Sequence, residues 1–444
     1  MSNKKFIIIL ILIALVSVLF WGIKYQTSAV VNDAQGYNEA ALSILNKGVF
    51  NSDPVMKAQL DRHIYPVFLA LVYKTFGYHP QVARYFQMII FILIALLVYF
   101  LSKIVLDEKT ARLAALIASL CYSIAAFSGQ LIREVFFTFL ITALIFVLYK
   151  AQSKYKNIWF IISGIIAGLA VLTNMILQFF PLIIIINFLI IGWDYGIKKI
   201  YPKILMFFIA FSLTIAPWVI ADYLRFESSP FGGGGLALGE RIEKMEKIEG
   251  EYWQHFIGNT LGDFFAQKWF SDYNPRDSRH GWNNWQRYND WIEQGGDKKK
   301  IGEILTKEAK EKILEHPWMY IKMASIDFLK FNTPMVPDVR MQHMFAETHP
   351  ELSDFTKGTI ILLIRFVYLI FFILIIYALF KNIKKWKKIS WLLLVIIYFN
   401  LMYSSVHAIA RYSVPIYPAY IILASLGFLI FWDKIKIKLF KEKF

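Results

Sequence analysis

The residues of this 444-residue chain able to do chemistry are two acids and a few arginines, charged where charge is costly. Asp33 stands in A-V-V-N-D-A-Q-G-Y-N-E-A, just past the first apolar run, and Arg62 stands in D-R-H-I-Y-P, where the chain turns back. Glu134 follows Arg133 at the head of another apolar run. Arg84, Arg365 and Arg411, with Asp61 and Asp222, fall on the same side of the pattern of runs. Arginine suits a phosphate at such depth. Its guanidinium is always charged, is less strongly hydrated than an ammonium, and grips two oxygens at once. Any one of these arginines also reads as a snorkelling side chain or an ordinary ion pair. Asp33 alone also reads as a turn residue beside Asn32 and Gly36. The informative feature is the gathering of all of them at one face.

The elements that position these charges are apolar helices. The chain is 57% hydrophobic and only 18% charged, less charge than a soluble protein carries. Runs of about 20 apolar residues recur, long enough to cross about 30 Å of hydrocarbon as helix and too long for barrel strands. The expected fold is an all-α polytopic membrane protein of about ten transmembrane helices. Those spans are read at 6–23, 87–101, 113–127, 135–149, 158–172, 176–193, a seventh ending at A-P-W (216–218), 360–380, 389–403 and 414–432. Short amphipathic runs at 37–45 and 64–76 suit the membrane interface. Residues 1–221 read as a transmembrane core with its first outer loop at 24–86. Residues 222–356 read as an extracytoplasmic domain, mainly α or mixed, and 357–444 as C-terminal transmembrane helices.

Charge sets the orientation. Segment 222–356 holds 17 Lys and Arg against 22 acids, a net of −5, so the +16 of the whole chain leaves +21 on the membrane part. The short Lys-rich loops therefore face the cytoplasm and the acidic segment faces outside. Both termini are expected inside, in a plasma or inner membrane. Loops 24–86, 128–134, 222–356 and 404–413 are expected outside. This placement of the cations argues against nucleic-acid binding. Lys4 and Lys5 precede an apolar run without a small-x-small cleavage site, so the first helix reads as a retained span.

Other motifs carry less. Cys121 is the single cysteine, so no disulfide or thiolate framework exists. The eight histidines form no ligand pair at helical spacing, and no metal-ligand set is assigned. F-G-G-G-G-L-A-L-G-E at 231–240 lacks the G-K-[ST] of a P-loop, and no Asp-x-Asp pair is present. Trp282, Trp285, Tyr288 and Trp291 read first as packing, with stacking on a sugar face as the second reading. Residues 299–315 read as an amphipathic helix ending at His316-Pro317.

Together the motifs resemble the GT-C class of membrane glycosyltransferases, in particular the protein O-mannosyltransferases and the lipid A aminoarabinose transferases. The resemblance rests on N-D-A-Q-G-Y-N-E-A-A (32–41), R-H-I-Y-P-V-F-L-A (62–70), R-E-V-F-F-T-F-L (133–140), I-A-P-W (215–218), G-G-L-A-L-G (234–239), H-P-W-M-Y (316–320) and R-Y-S-V-P-I-Y-P (411–418). Ala34 follows Asp33 where the mannosyltransferases pair Asp with Glu, and His63 and Ile64 stand where a proline is common. Gly239-Glu240 replaces the commoner Gly-Asn.

The resemblance implies a GT-C fold and an inverting hexosyl- or pentosyl-transferase. A sugar would pass from a polyprenyl-phosphate-linked donor to a glycan, lipid or protein acceptor on the extracytoplasmic side. Asp33 would be the catalytic base, and Glu134 would orient the acceptor or pair with Arg133. Arg62 and Arg411, then Arg133, would hold the phosphate. Tyr37, Tyr65, His63 and His407 complete the expected substrate-binding set. No cofactor is required, since the donor carries its own phosphate and lipid, and a divalent metal is left open. The competing expectation is a lipid-linked sugar flippase or transporter, which favours internal repeats and charges near the midplane.

Overall fold

A computed structural model describes residues 2–24, 33–50, 64–192, 196–226, 234–274, 283–296, 298–333 and 351–441. Among these residues every regular element is helical. The chain divides into two compact units. One comprises 1–226, 369–398 and 414–444, and the other 227–368 and 399–413.

The first unit begins with α1 (Asn3–Lys24), α2 (Asp33–Lys47), α3 (Ile64–Phe76), α4 (Pro80–Val105), α5 (Glu108–Ser119) and α6 (Tyr122–Phe127). It continues with α7 (Glu134–Lys154), α8 (Asn157–Thr173), α9 (Phe180–Gly192) and α10 (Ile197–Phe226). Among the described residues, seven helical runs are long and apolar enough to cross a membrane. Two of the ten expected spans, 158–172 and 113–127, take another form. Helix α8 is apolar but only 17 residues long. The run expected at 113–127 is two helices, α5 and α6, parted at Leu120-Cys121. The apolar stretch 354–406 is continuous, and a 3₁₀ turn at Ile383–Lys385 bends it into two helices.

The break between α5 and α6 sets up a close contact. It brings Tyr122 edge-on to Trp21, with ring centroids 4.5 Å apart, and it brings the chain after α6 onto α1. A β-carbon on Gly129 would lie 1.9 Å from the Gly22 carbonyl oxygen, so only glycine permits this approach of backbone to backbone. Helix α10 does not stop at Ala-Pro-Trp. It runs through Pro202 and Pro217 to Phe226, as membrane helices tolerate when neighbours re-satisfy the freed carbonyls.

The second unit contains α11 (Gly234–Gly250), α12 (Tyr252–Thr260), α13 (Asp263–Trp269), α14 (Asn283–Glu293), α15 (Lys298–Glu315) and α16 (Pro317–Phe331). It also takes the start of α17 (Asp354–Asn382) and the end of α18 (Trp386–Val406), whose remaining turns belong to the first unit with α19 (Tyr417–Lys441). Its core is Ile242, Met245, Ile248, Ala309, Met323 and Ile326. Helix α15 fills the amphipathic run expected at 299–315, and Pro317 opens α16 where its missing N–H costs nothing. The glycine-rich 234–240 lies in the first turns of α11, and Asn284 donates to the Gly239 carbonyl at 2.9 Å.

Candidate active site

In the first unit, α2 and α3 pack as a hairpin-like pair on α4. Their shared core is Tyr37, Ala40, Ala41, Ile44, Tyr65 and Leu69, joined by Leu131 from the chain leading to α7. Small residues on α2 let the helices close up, and two polar contacts fix the register. The Tyr73 hydroxyl donates to Asn38 Oδ1 at 2.8 Å, and Asn38 Nδ2 donates to the Tyr78 hydroxyl at 3.0 Å.

Asp33 is the first residue of α2 and is half-buried. It lies one turn before Tyr37 and so shares a helix face with it. Glu134 is likewise the first residue of α7 and is buried. Both candidate carboxylates therefore sit at helix N-termini, where the dipole favours negative charge. Tyr37 meets Tyr65 edge to face at 4.9 Å and 84°. Glu134 and Arg84 both lie close enough to Tyr65 to act on its hydroxyl electrostatically. Phe136, half a turn into α7, packs on Tyr65 and Phe68. Thus Asp33's helix and Glu134's helix meet through one aromatic cluster. Tyr37 and Tyr65 are themselves buried. Their rings contact one another, and the Tyr65 ring also contacts Phe68 and Phe136.

The arginines divide by what they touch. Arg62 and His63 lie outside the described residues. Arg84 donates to Gln81 Oε1 at 3.0 Å from a buried position. Arg133 donates to the Thr173 carbonyl at 3.0 Å and so ties the start of α7 to the end of α8. In the second unit, Arg365 donates to the Asn259 carbonyl at 2.9 Å, at the end of α12. Arg411 stands on the 3₁₀ segment Ala410–Ile416 with its guanidinium 5.8 Å from the centre of the Tyr412 ring.

His407 lies three residues before this segment, in the second unit, 6.1 Å from Tyr412 ring to ring. Burial, reinforced by Lys330, Lys244 and Arg241, lowers its pKa to about 3, so it is neutral at physiological pH. Sequence reasoning missed the residue that shapes this segment. Arg241 of α11 is 3% exposed, pairs with Asp327 of α16, and donates to the carbonyls of Ser404 and Val406. Its guanidinium also lies over the Tyr320 ring, and the Tyr320 hydroxyl donates to the Ser405 carbonyl at 2.7 Å. Three successive carbonyls are thereby held just before His407 and Arg411. Arg241 sits among the acidic insert's many charges, so no break in a pattern drew attention to it. Gln87 of α4 was missed for another reason: a neutral amide inside an apolar run carries no charge signal.

Among the described residues no three His, Cys, Asp or Glu side chains converge as a metal site would require.

Comparison with known proteins agrees with this architecture. Residues 64–220 match the family described as dolichyl-phosphate-mannose-protein mannosyltransferase, about a third of the chain. A 175-residue stretch is 30% identical to an uncharacterized protein of Aquifex aeolicus, covering 38% of this chain and 34% of that one. The archaeal oligosaccharyltransferase AglB of Archaeoglobus fulgidus, in complex with an inhibitory peptide and a dolichol-phosphate, aligns with a TM-score of 0.53. The alignment is at 12% identity over 99% of this chain and 52% of that chain. An Archaeoglobus fulgidus oligosaccharyltransferase in complex with Zn and sulfate aligns at 0.51, with 14% identity over 96% and 50%.

The fold is that of the GT-C membrane glycosyltransferases. The chain spans about half the length of these archaeal proteins and a third of the bacterial one. It is a multi-pass membrane protein.

Proposed function

We propose that this protein is a membrane glycosyltransferase that moves a sugar from a polyprenyl-phosphate-linked donor to an acceptor on the extracytoplasmic side. The observation that carries the proposal is the pair of acids on helix N-termini, Asp33 and Glu134, held by one buried aromatic cluster inside a GT-C fold. The mannosyltransferase match over 64–220 includes α3, α4 and α7, three of the helices that build this cluster.

The reaction in this reading is a single displacement. An acceptor hydroxyl attacks the anomeric carbon, the bond from that carbon to the phosphate oxygen breaks, and polyprenyl phosphate leaves with the electron pair. The anomeric configuration inverts. Asp33 takes the hydroxyl proton, a role that supplies roughly 10²–10⁴-fold. Glu134 orients the acceptor. Charge grows on the leaving phosphate, and fixed cations aimed at it stabilise the transition state in a low-dielectric site. Arg62 and Arg411 are assigned that work, and His407 and His63 the flanking contacts. Arg133, already bonded to the Thr173 carbonyl, comes third in that assignment. The donor brings its own phosphate and lipid, so no nucleotide enters. Zinc accompanies one related oligosaccharyltransferase structure, and divalent dependence here is tested by chelation.

Both termini are cytoplasmic and the site is outside in this reading, which the acidic segment 222–356 and the Lys-rich short loops support. A reporter fused after Glu351 reads as extracytoplasmic in this arrangement, and a cytoplasmic signal overturns it.

The test is purified protein in liposomes with a panel of labelled polyprenyl-phosphate sugars and cell-envelope acceptor. Labelled glycosidic product is expected with at least one donor. Movement of donor across the bilayer without product contradicts the transferase reading and restores the flippase.

A further inference from the structure

Gln87 sits in the outer part of α4, a helix long and apolar enough to span the membrane, and it is completely buried. A buried amide at such depth is costly unless its polar atoms are used. Here they are. Its Oε1 accepts from the Tyr65 hydroxyl at 2.9 Å. Its Nε2 donates to two main-chain carbonyls, Gln130 at 2.5 Å and Ser128 at 3.2 Å.

These three bonds join separate parts of the first unit. Tyr65 leads through the Tyr37 ring to α2, whose first residue is Asp33. The carbonyls of 128 and 130 belong to the stretch that leads into Arg133 and Glu134. That stretch also packs against α1, where Gly129 meets the Gly22 carbonyl. A chain between two such contacts has little room to move. We propose that Gln87 is a positioning residue that sets the two acids, Asp33 and Glu134, relative to one another through Tyr65 on one side and the 128–130 backbone on the other. Its catalytic consequence rests on the glycosyltransferase reading above; its geometric consequence does not.

Only an amide does all of this. Methionine matches the volume but makes none of the three bonds; it takes their Gln87 partner from the Tyr65 hydroxyl and the Ser128 carbonyl and leaves the Gln130 carbonyl with the Ile132 N–H alone. A carboxylate still accepts from Tyr65 but faces the two carbonyls as an acceptor against acceptors. Protonated, it donates to one of them.

The experiment compares wild type, Gln87→Met, Gln87→Glu and Tyr65→Phe in nanodiscs. A misplacement of about 1 Å costs up to about 10²-fold in rate. Gln87→Met is therefore expected to lower kcat by about ten- to a hundredfold with donor KM held within about twofold. Gln87→Glu should regain rate as pH falls, because its proton restores one donor. Tyr65→Phe, losing one bond of three, should show the smallest loss. A packing role alone does not produce the pH-dependent recovery or spare KM. Hydrogen exchange of residues 128–133 is read on the same samples and needs no donor. It should be faster in Gln87→Met and Gln87→Glu than in wild type.

If wild type transfers nothing, the proposed function fails, and the exchange still decides whether Gln87 holds the loop. If exchange and kinetics are both unchanged, the positioning role is wrong. If Gln87→Met does not accumulate, the pH profile and exchange of Gln87→Glu decide alone, and a wild-type profile contradicts the inference.

Discussion

Around Gln87 in the first unit, buried polar atoms find neutral partners: hydroxyl to amide, amide to carbonyl. Around Arg241 in the second, the donor itself is charged and one of its partners is a carboxylate. A buried guanidinium meets Asp327, and burial with the charges of Lys330, Lys244 and Arg241 keeps His407 neutral. The two regions solve one problem, fixing a functional segment, under different constraints. The first lies among apolar spans, where ions are expensive and neutral hydrogen bonds suffice. The second lies in the acidic insert, where a buried ion pair holds main-chain carbonyls. Neutral networks forgive the loss of one bond. A charged one does not, because the surviving charge is left buried.

Substitutions sharpen the contrast in descending order of effect. Asp33→Asn should lower transfer by about 10²–10⁴-fold, with melting temperature near wild type because the acid is half-buried at a helix start. A large loss of folding would assign Asp33 to structure instead. Arg411→Lys keeps the charge but loses the two-oxygen fork, and about a 10²-fold fall in kcat/KM is expected. A rate near that of wild type would leave Arg411 as packing on Tyr412.

Next come the paired stability tests. Asp327→Ala strands Arg241, and breaking a buried pair costs about 3–5 kcal/mol. Tyr73→Phe removes one neutral bond to Asn38 at about 1 kcal/mol. Equal losses in denaturant titrations would erase the distinction between the two regions.

The smallest effect is in pH. His407 and His255 are both in the second unit, and burial with nearby lysines lowers their pKa values to about 3 and about 4, from an ordinary 6.5. Unfolding lets them take up protons. The stability they contribute is complete above about pH 6.5 and is lost as pH falls through 4 toward 3. Melting curves at pH 7, 5.5 and 4.5 should decline, and His255→Gln with His407→Gln should flatten the decline. A double variant as pH-sensitive as wild type would contradict this.

Much of the helical framework was legible because period and length speak directly. The apolar runs, the helix at 298–315 and the short helices at 33–47 and 64–76 stand where patterning put them. The break at Leu120-Cys121 was not legible. No Pro or Gly marks it, and its rationale is the distant approach of Gly129 to Gly22. Asp33 and Glu134 were legible as charges next to apolar runs. That they share an aromatic cluster depends on Tyr37, Tyr65 and Phe136 meeting across three helices, which one chain's periodicity does not encode. Arg241 and Gln87 were hidden for opposite reasons, one a charge among many charges and the other a neutral side chain among apolar ones.

The central claim, that the first unit's acid drives displacement of a lipid phosphate, is tested most directly by stoichiometry. In proteoliposomes with a labelled polyprenyl-phosphate sugar, one polyprenyl phosphate should be released for each sugar appearing on acceptor. Both should stop together in Asp33→Asn. Sugar transfer undiminished in Asp33→Asn, or lipid phosphate released without glycosylated acceptor, would contradict the account.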